Sequence, residues 1–149
     1  KIIPNVYLFM WNGNIHSRKL PVMVATFGEI DRSVLQNVPP SRIILGVPED
    51  GCDDRGFSNR VKGAWVIVKR GGCSFVDKAR NVQKVGGTAI IILNTRKKPY
   101  LFEMPMGPEG APDVKIPVFM IPYDSEEEIK FLISNGMSGG NILARVHVL

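Results

Sequence analysis

The segment KRGGCSFVDKARNVQKVGG, residues 69–87, contains the side chain most suited to covalent chemistry in this sequence, the thiol of Cys73. Two cationic residues, Lys69 and Arg70, precede it, and Ser74 follows where a strand pattern changes into a helix pattern. A cationic neighbourhood and a helix N-terminus both favour the thiolate form of a cysteine. A reactive thiol is therefore the first hypothesis for this segment.

Two observations weaken the chemical hypotheses for Cys73. A thiol hydrolase needs a base, and the two histidines, His16 and His147, stand in no recognisable catalytic context. Glycines before a helix can also bind phosphate, but GGCSF matches neither nucleotide-binding pattern, and Phe75 would fill the space that a phosphate needs. A simple chain reversal is the favoured explanation of the glycines.

The second cysteine, Cys52, lies in a polar segment, Pro48–Arg60, with several carboxylates around it. Their spacing does not match a calcium-binding EF-hand loop, so we predict no metal site and no cofactor. A disulfide between Cys52 and Cys73 would use both cysteines and would stabilise the fold by roughly 3 kcal/mol. The cysteine count alone is equally compatible with two free thiols in a reducing compartment.

Length and composition describe a single globular domain. The 149 residues are 44% hydrophobic and 22% charged, with a net charge of +5. No apolar run approaches the ~20 residues of a membrane-spanning helix. The positive residues are scattered except at Arg96-Lys97-Lys98, which argues against nucleic-acid binding. The chain starts at Lys1 without a signal peptide, so we expect a processed fragment. The sequence contains no Asn-x-Ser/Thr sequon, so N-glycosylation lends no support to secretion.

The hydrophobic pattern predicts a mixed α/β fold containing a strand–helix–strand crossover. Asn12-Gly13 predicts a hairpin turn. Ser74 with Asp77, and Ser125 with Glu128, have the spacing of capping boxes at two helix starts. The first helix should bury Phe75, Ala79 and Val82, and the second Ile129, Leu132 and Ile133. The predicted strands are Val6–Trp11, Leu20–Phe27, Arg42–Val47, Ala64–Lys69, Thr88–Leu93, Ile116–Ile121 and Asn141–Leu149.

The run from Gly63 to Gly87, with RGGCSF at its centre, resembles the core signature of the protease-associated (PA) domain. The Thr88–Asn94 strand, the Ile116–Ile121 strand and a helix ending at Gly136 extend the resemblance, which covers roughly residues 20–149. It implies an α+β, β-rich fold, an open β-barrel or β-sandwich of about seven strands with two peripheral helices. It also implies one domain, residues 1–149, with an N-terminal hairpin extension at 1–19 and a PA core at 20–149.

The resemblance further implies a protein or peptide-binding module that is not an enzyme and lies in the secretory lumen or outside the cell. That compartment favours the disulfide. The ligand would contact the corner Arg70–Phe75 and the loop Asn94–Lys115. For the apolar loop residues, anchoring to the core is an equally open explanation. The candidate ligand-binding residues are Arg70, Gly71, Gly72, Ser74, Phe75, Arg96, Phe102, Met104 and Met106.

Two settings for such a module stay open at this point. We expect a small, largely stand-alone PA protein. The alternative is a regulatory PA segment of a larger protease, sorting receptor or transmembrane ubiquitin ligase, and only the surrounding reading frame distinguishes the two.

Overall fold

The computed structural model describes residues 5–46, 48–136 and 141–149. Within these ranges the chain forms nine strands, three α-helices and one short 3-10 turn at Asn59–Val61. The helices are α1 (Arg32–Gln36), α2 (Phe75–Lys84) and α3 (Ser125–Asn135). The strands are β1 (Val6–Asn12), β2 (Ile15–His16), β3 (Leu20–Pro21), β4 (Met23–Val24), β5 (Ser41–Leu45), β6 (Trp65–Lys69), β7 (Ala89–Leu93), β8 (Val118–Ile121) and β9 (Ile142–Val148).

The strands form one sheet in the order β2-β1-β9-β5-β6-β7-β8-β4. Neighbouring strands from β5 to β8 are parallel, whereas β9 is antiparallel to both β1 and β5. The segment 20–24 pairs with β1 through β3 and with β8 through β4, so it joins the two ends of the sheet. The sheet is therefore curled into a half-barrel, and the predicted β-rich α+β fold is confirmed.

The number of elements differs from the prediction because short elements leave a weak sequence signal. The stretch predicted as one strand, Leu20–Phe27, contains only β3 and β4, each two residues long. The helix α1 spans five residues and buries only Leu35. Instead of about seven strands and two helices, residues 5–46, 48–136 and 141–149 contain nine strands and three α-helices.

Alternate residues of the central strands enter two separate hydrophobic cores. Trp65 and Ile67 face the inside of the half-barrel with β1, β9 and α3. Val66 and Val68 face outward, where α2 and the 94–115 loop cover them. Since both faces are covered, the strands β6 to β8 are continuous apolar runs, as parallel strands in the middle of a sheet usually are.

The helix α2 forms the predicted crossover that connects the parallel strands β6 and β7. The Ser74 hydroxyl accepts a hydrogen bond from the Asp77 N–H at 3.0 Å, so the predicted N-cap is confirmed. The Asp77 carboxylate lies 3.8 Å from the Arg80 guanidinium. Val82 is buried, and Phe75 is half-buried.

The predicted cap of α3 is wrong. The helix starts at Ser125, whose hydroxyl is buried and has no hydrogen-bond partner within the described chain. The Glu128 carboxylate accepts instead from the Arg18 N–H, at 3.0 Å. The distant residue Arg18 therefore binds the carboxylate that the local cap would have used.

The predicted burial of Ile133 is also wrong, because its side chain is 40% exposed.

The hairpin after β1 is confirmed with a shifted turn. Its two loop residues are Gly13 and Asn14, and Gly13 has the positive φ of 64° that the reversal requires. Asn12 ends the strand instead of turning, and its side-chain amide donates to the Leu132 carbonyl at 2.8 Å.

Candidate functional site

The candidate site begins at the corner between β6 and α2, where Cys52 and Cys73 form a disulfide with their Cα atoms 5.8 Å apart. The predicted pairing is confirmed, and the hypothesis of a reactive Cys73 thiol is wrong because its sulfur is bonded. Gly72 is required at this corner. Its φ is 86°, and a Cβ there would lie 2.9 Å from an Asp50 carboxylate oxygen and 3.1 Å from the Cys52 sulfur.

A buried lysine, Lys78, holds the backbone of the corner in place through hydrogen bonds to three carbonyl groups. Its ammonium donates to the carbonyl of Asp50 at 2.6 Å, to that of Lys69 at 2.9 Å and to that of Gly71. Burial lowers the pKa of Lys78, and the nearby Asp50 charge partly offsets this effect. The lysine thus ties together the end of β6, the glycine turn and the loop that carries Cys52.

The carboxylates of the polar loop are committed to neighbours in the chain. Asp50 accepts from the Cys52 N–H at 3.0 Å, and Asp54 lies 2.5 Å from the Lys84 ammonium. The Asp53–Arg55 hydrogen bond lowers the pKa of Asp53 to about 2. Residues 5–46, 48–136 and 141–149 contain no group of three histidine, cysteine or acidic side chains placed to hold a metal ion.

The loop 94–115 is shaped by Asn94, a buried residue that directly follows β7. Its amide nitrogen donates to the carbonyls of Pro99 at 2.9 Å and Tyr100 at 3.1 Å. Its oxygen accepts from the Arg70 guanidinium at 3.0 Å and from the Arg96 N–H at 3.2 Å. One side chain therefore folds the start of the loop and attaches it to the corner.

Arg70, Phe75 and Phe102 join the corner and the loop into one surface. We name it the corner surface, together with Arg96, whose N–H binds the same Asn94 oxygen as Arg70. Met106 does not belong to it, because it lies with residues 26–29, 110–112, 114 and 115 at the far end of the loop. The Arg70 guanidinium lies 4.5 Å from the centre of the Phe102 ring. The Phe102 and Phe75 rings are 5.9 Å apart at their centres. Both rings are half-buried, so their outer faces are accessible to a ligand.

The other predicted site residues divide into surface and core. Gly71, Gly72, Ser74 and Arg96 are exposed, and Met106 is 42% exposed. Met104 is only 1% exposed and packs in the outer core, so it anchors the loop and cannot touch a ligand.

The far end of the loop is held by α2. The Arg80 guanidinium donates to the Asp113 carboxylate at 2.7 and 3.0 Å, and this lowers the pKa of Asp113. The Gln83 side chain donates to the Asp113 carbonyl at 2.9 Å and accepts from the Lys115 N–H at 2.6 Å. The loop is thus fixed at its start, at Met104 and at its end.

A sequence profile of the PA domain matches residues 36–129, which include the corner and the whole loop. The chain belongs to the PA domain family. It is 29% identical over 126 residues to signal peptide peptidase-like 2 of Arabidopsis thaliana, covering 84% of this chain and 23% of that protein. It is 32% identical over 79 residues to ER degradation-enhancing alpha-mannosidase-like protein 3 of Xenopus laevis, covering 50% of this chain and 9% of that protein.

Solved structures show the same PA fold within larger chains. A zinc aminopeptidase from Bacillus subtilis superposes with a TM-score of 0.67 at 17% identity, over 99% of this chain and 31% of that one. An aminopeptidase from Aneurinibacillus sp. strain AM-1 gives 0.61 at 22% identity, over 96% and 30%. This PA chain spans less than a third of the length of each of these proteins. No helix in the described ranges is long and apolar enough to cross a membrane.

Two residues central to this PA domain's site were not predicted from sequence. Lys78 resembles an ordinary solvent-facing helix residue, and Asn94 resembles the first residue of a loop. A signal existed for Lys78, because it falls next to Ala79 and one turn before Val82 on the apolar stripe. No local pattern identifies Asn94, since its partners are set by the path of the loop.

Proposed function

We propose that this PA domain is a non-catalytic module that binds protein or peptide segments at the corner surface. The observation that carries the proposal is the contact of Arg70 with both Asn94 and Phe102, which joins two segments more than twenty residues apart. A cation and two half-buried aromatic rings placed side by side offer one charged and one apolar contact. Membership of the PA family supports a protein-interaction role.

The chemistry of the corner surface suits a segment with an acidic residue next to an apolar one. A guanidinium has five N–H donors, and Arg70 uses one of them on Asn94. The remaining donors can bind a ligand carboxylate, and Arg96 adds a second positive charge beside them. The rings of Phe75 and Phe102 would pack against the neighbouring apolar side chain.

We place the protein in the secretory lumen or outside the cell. Two observations support this location. The disulfide uses both cysteines of the chain and needs an oxidising compartment to persist. In addition, one matched relative is an ER degradation-enhancing protein by name.

A second setting is a regulatory segment of a longer protease. It is supported by the signal peptide peptidase-like relatives and by the aminopeptidases that contain the same fold. In that setting the corner surface would restrict or guide substrates of a neighbouring catalytic domain. The full reading frame tests this alternative, because a protease signature beside this domain would establish it.

The proposed function is tested with a library of capped hexapeptides and the purified, disulfide-bonded domain. We expect selected peptides to contain an acidic and an apolar residue, and to remain intact by mass spectrometry. The variant Arg70→Met with Phe102→Ala should weaken binding at least about tenfold. Lys97→Met, in the same exposed loop, is the matched control. Unchanged affinity of the double variant would refute the proposed site, and cleavage of the peptides would refute the non-catalytic role.

A further inference from the structure

A second candidate surface lies on the outer face of β1 and β9. Tyr7, Phe9 and Trp11 are alternate residues of β1, and all three are half-buried. They form a shallow basin of about 480 Å³ together with Lys19 and two residues of β9, Arg145 and His147. We name these six residues the β1–β9 basin. All of them lie outside the segment 36–129 that the PA profile matches.

The register of the two strands produces this arrangement. Tyr7 is paired with His147, and Phe9 with Arg145, so these two rings each have a basic residue directly across the sheet, whereas Trp11 is paired with Leu143. The Phe9 and Trp11 rings are 6.1 Å apart at their centres. The Lys19 ammonium stands 5.8 Å from the centre of the Tyr7 ring. The basin therefore has an aromatic floor and basic walls.

Among the described residues, no carboxylate lines the basin, so its charges are not neutralised by these neighbours. In the described part of the chain, neither Lys19 nor Arg145 has an acidic side chain within 4 Å, whereas Arg18 and Arg80 each have two. An anionic occupant would meet complementary charge here without displacing an existing ion pair.

Backbone pairing cannot supply the recognition, because the edge of β1 is already occupied. Met10, between β2 and β3 along this edge, exchanges hydrogen bonds with Ser17 through its N–H at 3.0 Å and its carbonyl at 2.8 Å. An occupant must therefore lie across the side chains of the sheet face rather than add a strand.

We propose that the β1–β9 basin binds an acidic polypeptide segment that carries an aromatic or aliphatic side chain. The apolar side chain would pack on the rings of Phe9 and Trp11, and flanking carboxylates would pair with Lys19 and Arg145. A peptide fits better than a bilayer, because the rings form the floor of a concavity and do not protrude. It fits better than a nucleic acid, because the cations surround one basin and do not form a row that follows a phosphate backbone.

The test uses NMR spectra of the ¹⁵N-labelled domain titrated with the peptide acetyl-Asp-Glu-Phe-Asp-Glu-amide. Trp11 supplies an indole N–H signal in the basin, and the other tryptophan, Trp65, is only 3% exposed. We expect shifts of the Trp11 indole and of β1 and β9 amides. The neutral peptide acetyl-Asn-Gln-Phe-Asn-Gln-amide should bind at least about tenfold more weakly.

The decisive variant is Lys19→Glu with Arg145→Glu, two exposed positions whose substitution should leave the fold intact. It should lose about tenfold or more in affinity, while Lys62→Glu with Lys130→Glu, of equal charge change elsewhere, should not. Arg70→Met should also leave this binding unchanged, which separates the basin from the corner surface. Equal losses in both double variants would overturn the proposal. So would shifts confined to the corner surface, or binding only to oligothymidylate or to phosphatidylserine vesicles.

Discussion

The outer face of the sheet is built differently in its two halves. Along β6 to β8 it consists of aliphatic residues such as Val66 and Ile92, which α2 and the 94–115 loop cover completely. Along β1 and β9 it consists of half-buried rings alternating with basic side chains, and no element of the described chain lies over them. The first half stabilises the domain, whereas the second contains the basin that we propose binds a partner.

This difference also explains where the site residues lie. In the covered half, the two rings of the corner surface come from the elements that lie over the sheet, because Phe75 belongs to α2 and Phe102 to the 94–115 loop. The sheet beneath them provides a rigid support for both elements. In the uncovered half, the strands supply the surface directly, since the side chains of β1 and β9 point outward at fixed intervals.

The largest expected effect compares one residue from each half. Ile92→Ala should lower the free energy of unfolding by about 4 kcal/mol, because Ile92 is fully buried and its loss leaves a cavity. Phe9→Ala should cost only about 1 kcal/mol, because the Phe9 ring is half-buried with no layer above it. Urea denaturation of both variants measures the difference. Equal losses would show that the β1–β9 half is also part of the core.

The second prediction concerns how the cover is joined to the sheet. Replacing Cys52 and Cys73 together by alanine should cost about 3 kcal/mol, because the disulfide closes a loop of 21 residues in the unfolded chain. Thermal unfolding of the double variant, and of the wild type with and without reductant, measures the effect. A variant as stable as the oxidised wild type would mean that Lys78 alone holds the corner.

The third prediction isolates Lys78. Lys78→Met keeps the volume of the side chain but removes the donor from three carbonyl groups, at an expected cost of about 2 kcal/mol at pH 7. Lys84→Met, on the exposed side of α2, should have a smaller effect.

The pH dependence of the Lys78 variant gives a second readout. Burial lowers the pKa of Lys78 in the folded chain, so between that pKa and the usual value of 10.5 the unfolded chain binds more protons. The Lys78 contribution to stability therefore rises with pH in this window, and Lys78→Met abolishes the rise. Chemical denaturation at pH 7 and pH 9.5 should show a wider gap between wild type and variant at the higher pH. A narrower gap would mean that the three hydrogen bonds raise the pKa of Lys78, and would contradict the lowering by burial.

The smallest expected effect concerns the far end of the loop. The Arg80 guanidinium lowers the pKa of Asp113, so this contribution is complete above about pH 3.8 and is lost as the pH falls through the lowered value. Asp113→Asn should be slightly less stable than wild type at pH 6, and the difference should shrink as the pH falls below 3.8. Glu103→Gln, an exposed residue of the same loop, is the control. Faster amide exchange at Lys115 in Asp113→Asn would locate the change, and unchanged exchange would argue against the anchor.

Much of the covered half could be predicted from the sequence because its signals are local. The apolar run before Lys69, the Gly71-Gly72 turn, the Ser74 cap and the helical spacing of Ala79 and Val82 all lie within twenty residues of one another. Together they predict β6, the corner and α2, and the structure confirms each of them. The placement of the ligand in this region stays a prediction, as does the division of the chain at residue 20.

The errors occur where a distant residue decides the local structure. Ser125 has the pattern of a cap, yet Glu128 is taken by Arg18, more than a hundred positions away in the chain. Met104 resembles an adaptable surface residue, yet the path of the loop places it in the outer core. Neither outcome follows from hydrophobic period or capping chemistry, because both depend on which segments the fold brings together.

From the sequence alone, backbone preferences and side-chain periodicity predicted the central strand–helix–strand order, because these signals act over short stretches and need no knowledge of the rest of the chain. The resemblance of the Gly63–Gly87 run to the PA signature added the β-rich fold and favoured the Cys52–Cys73 pairing. The tertiary structure decided that Lys78 is buried, that Asn94 binds both Arg70 and its own loop, and that basic residues of β9 face the rings of β1. The physical reason is sheet pairing and loop closure, which bring residues separated by up to about 140 positions into contact.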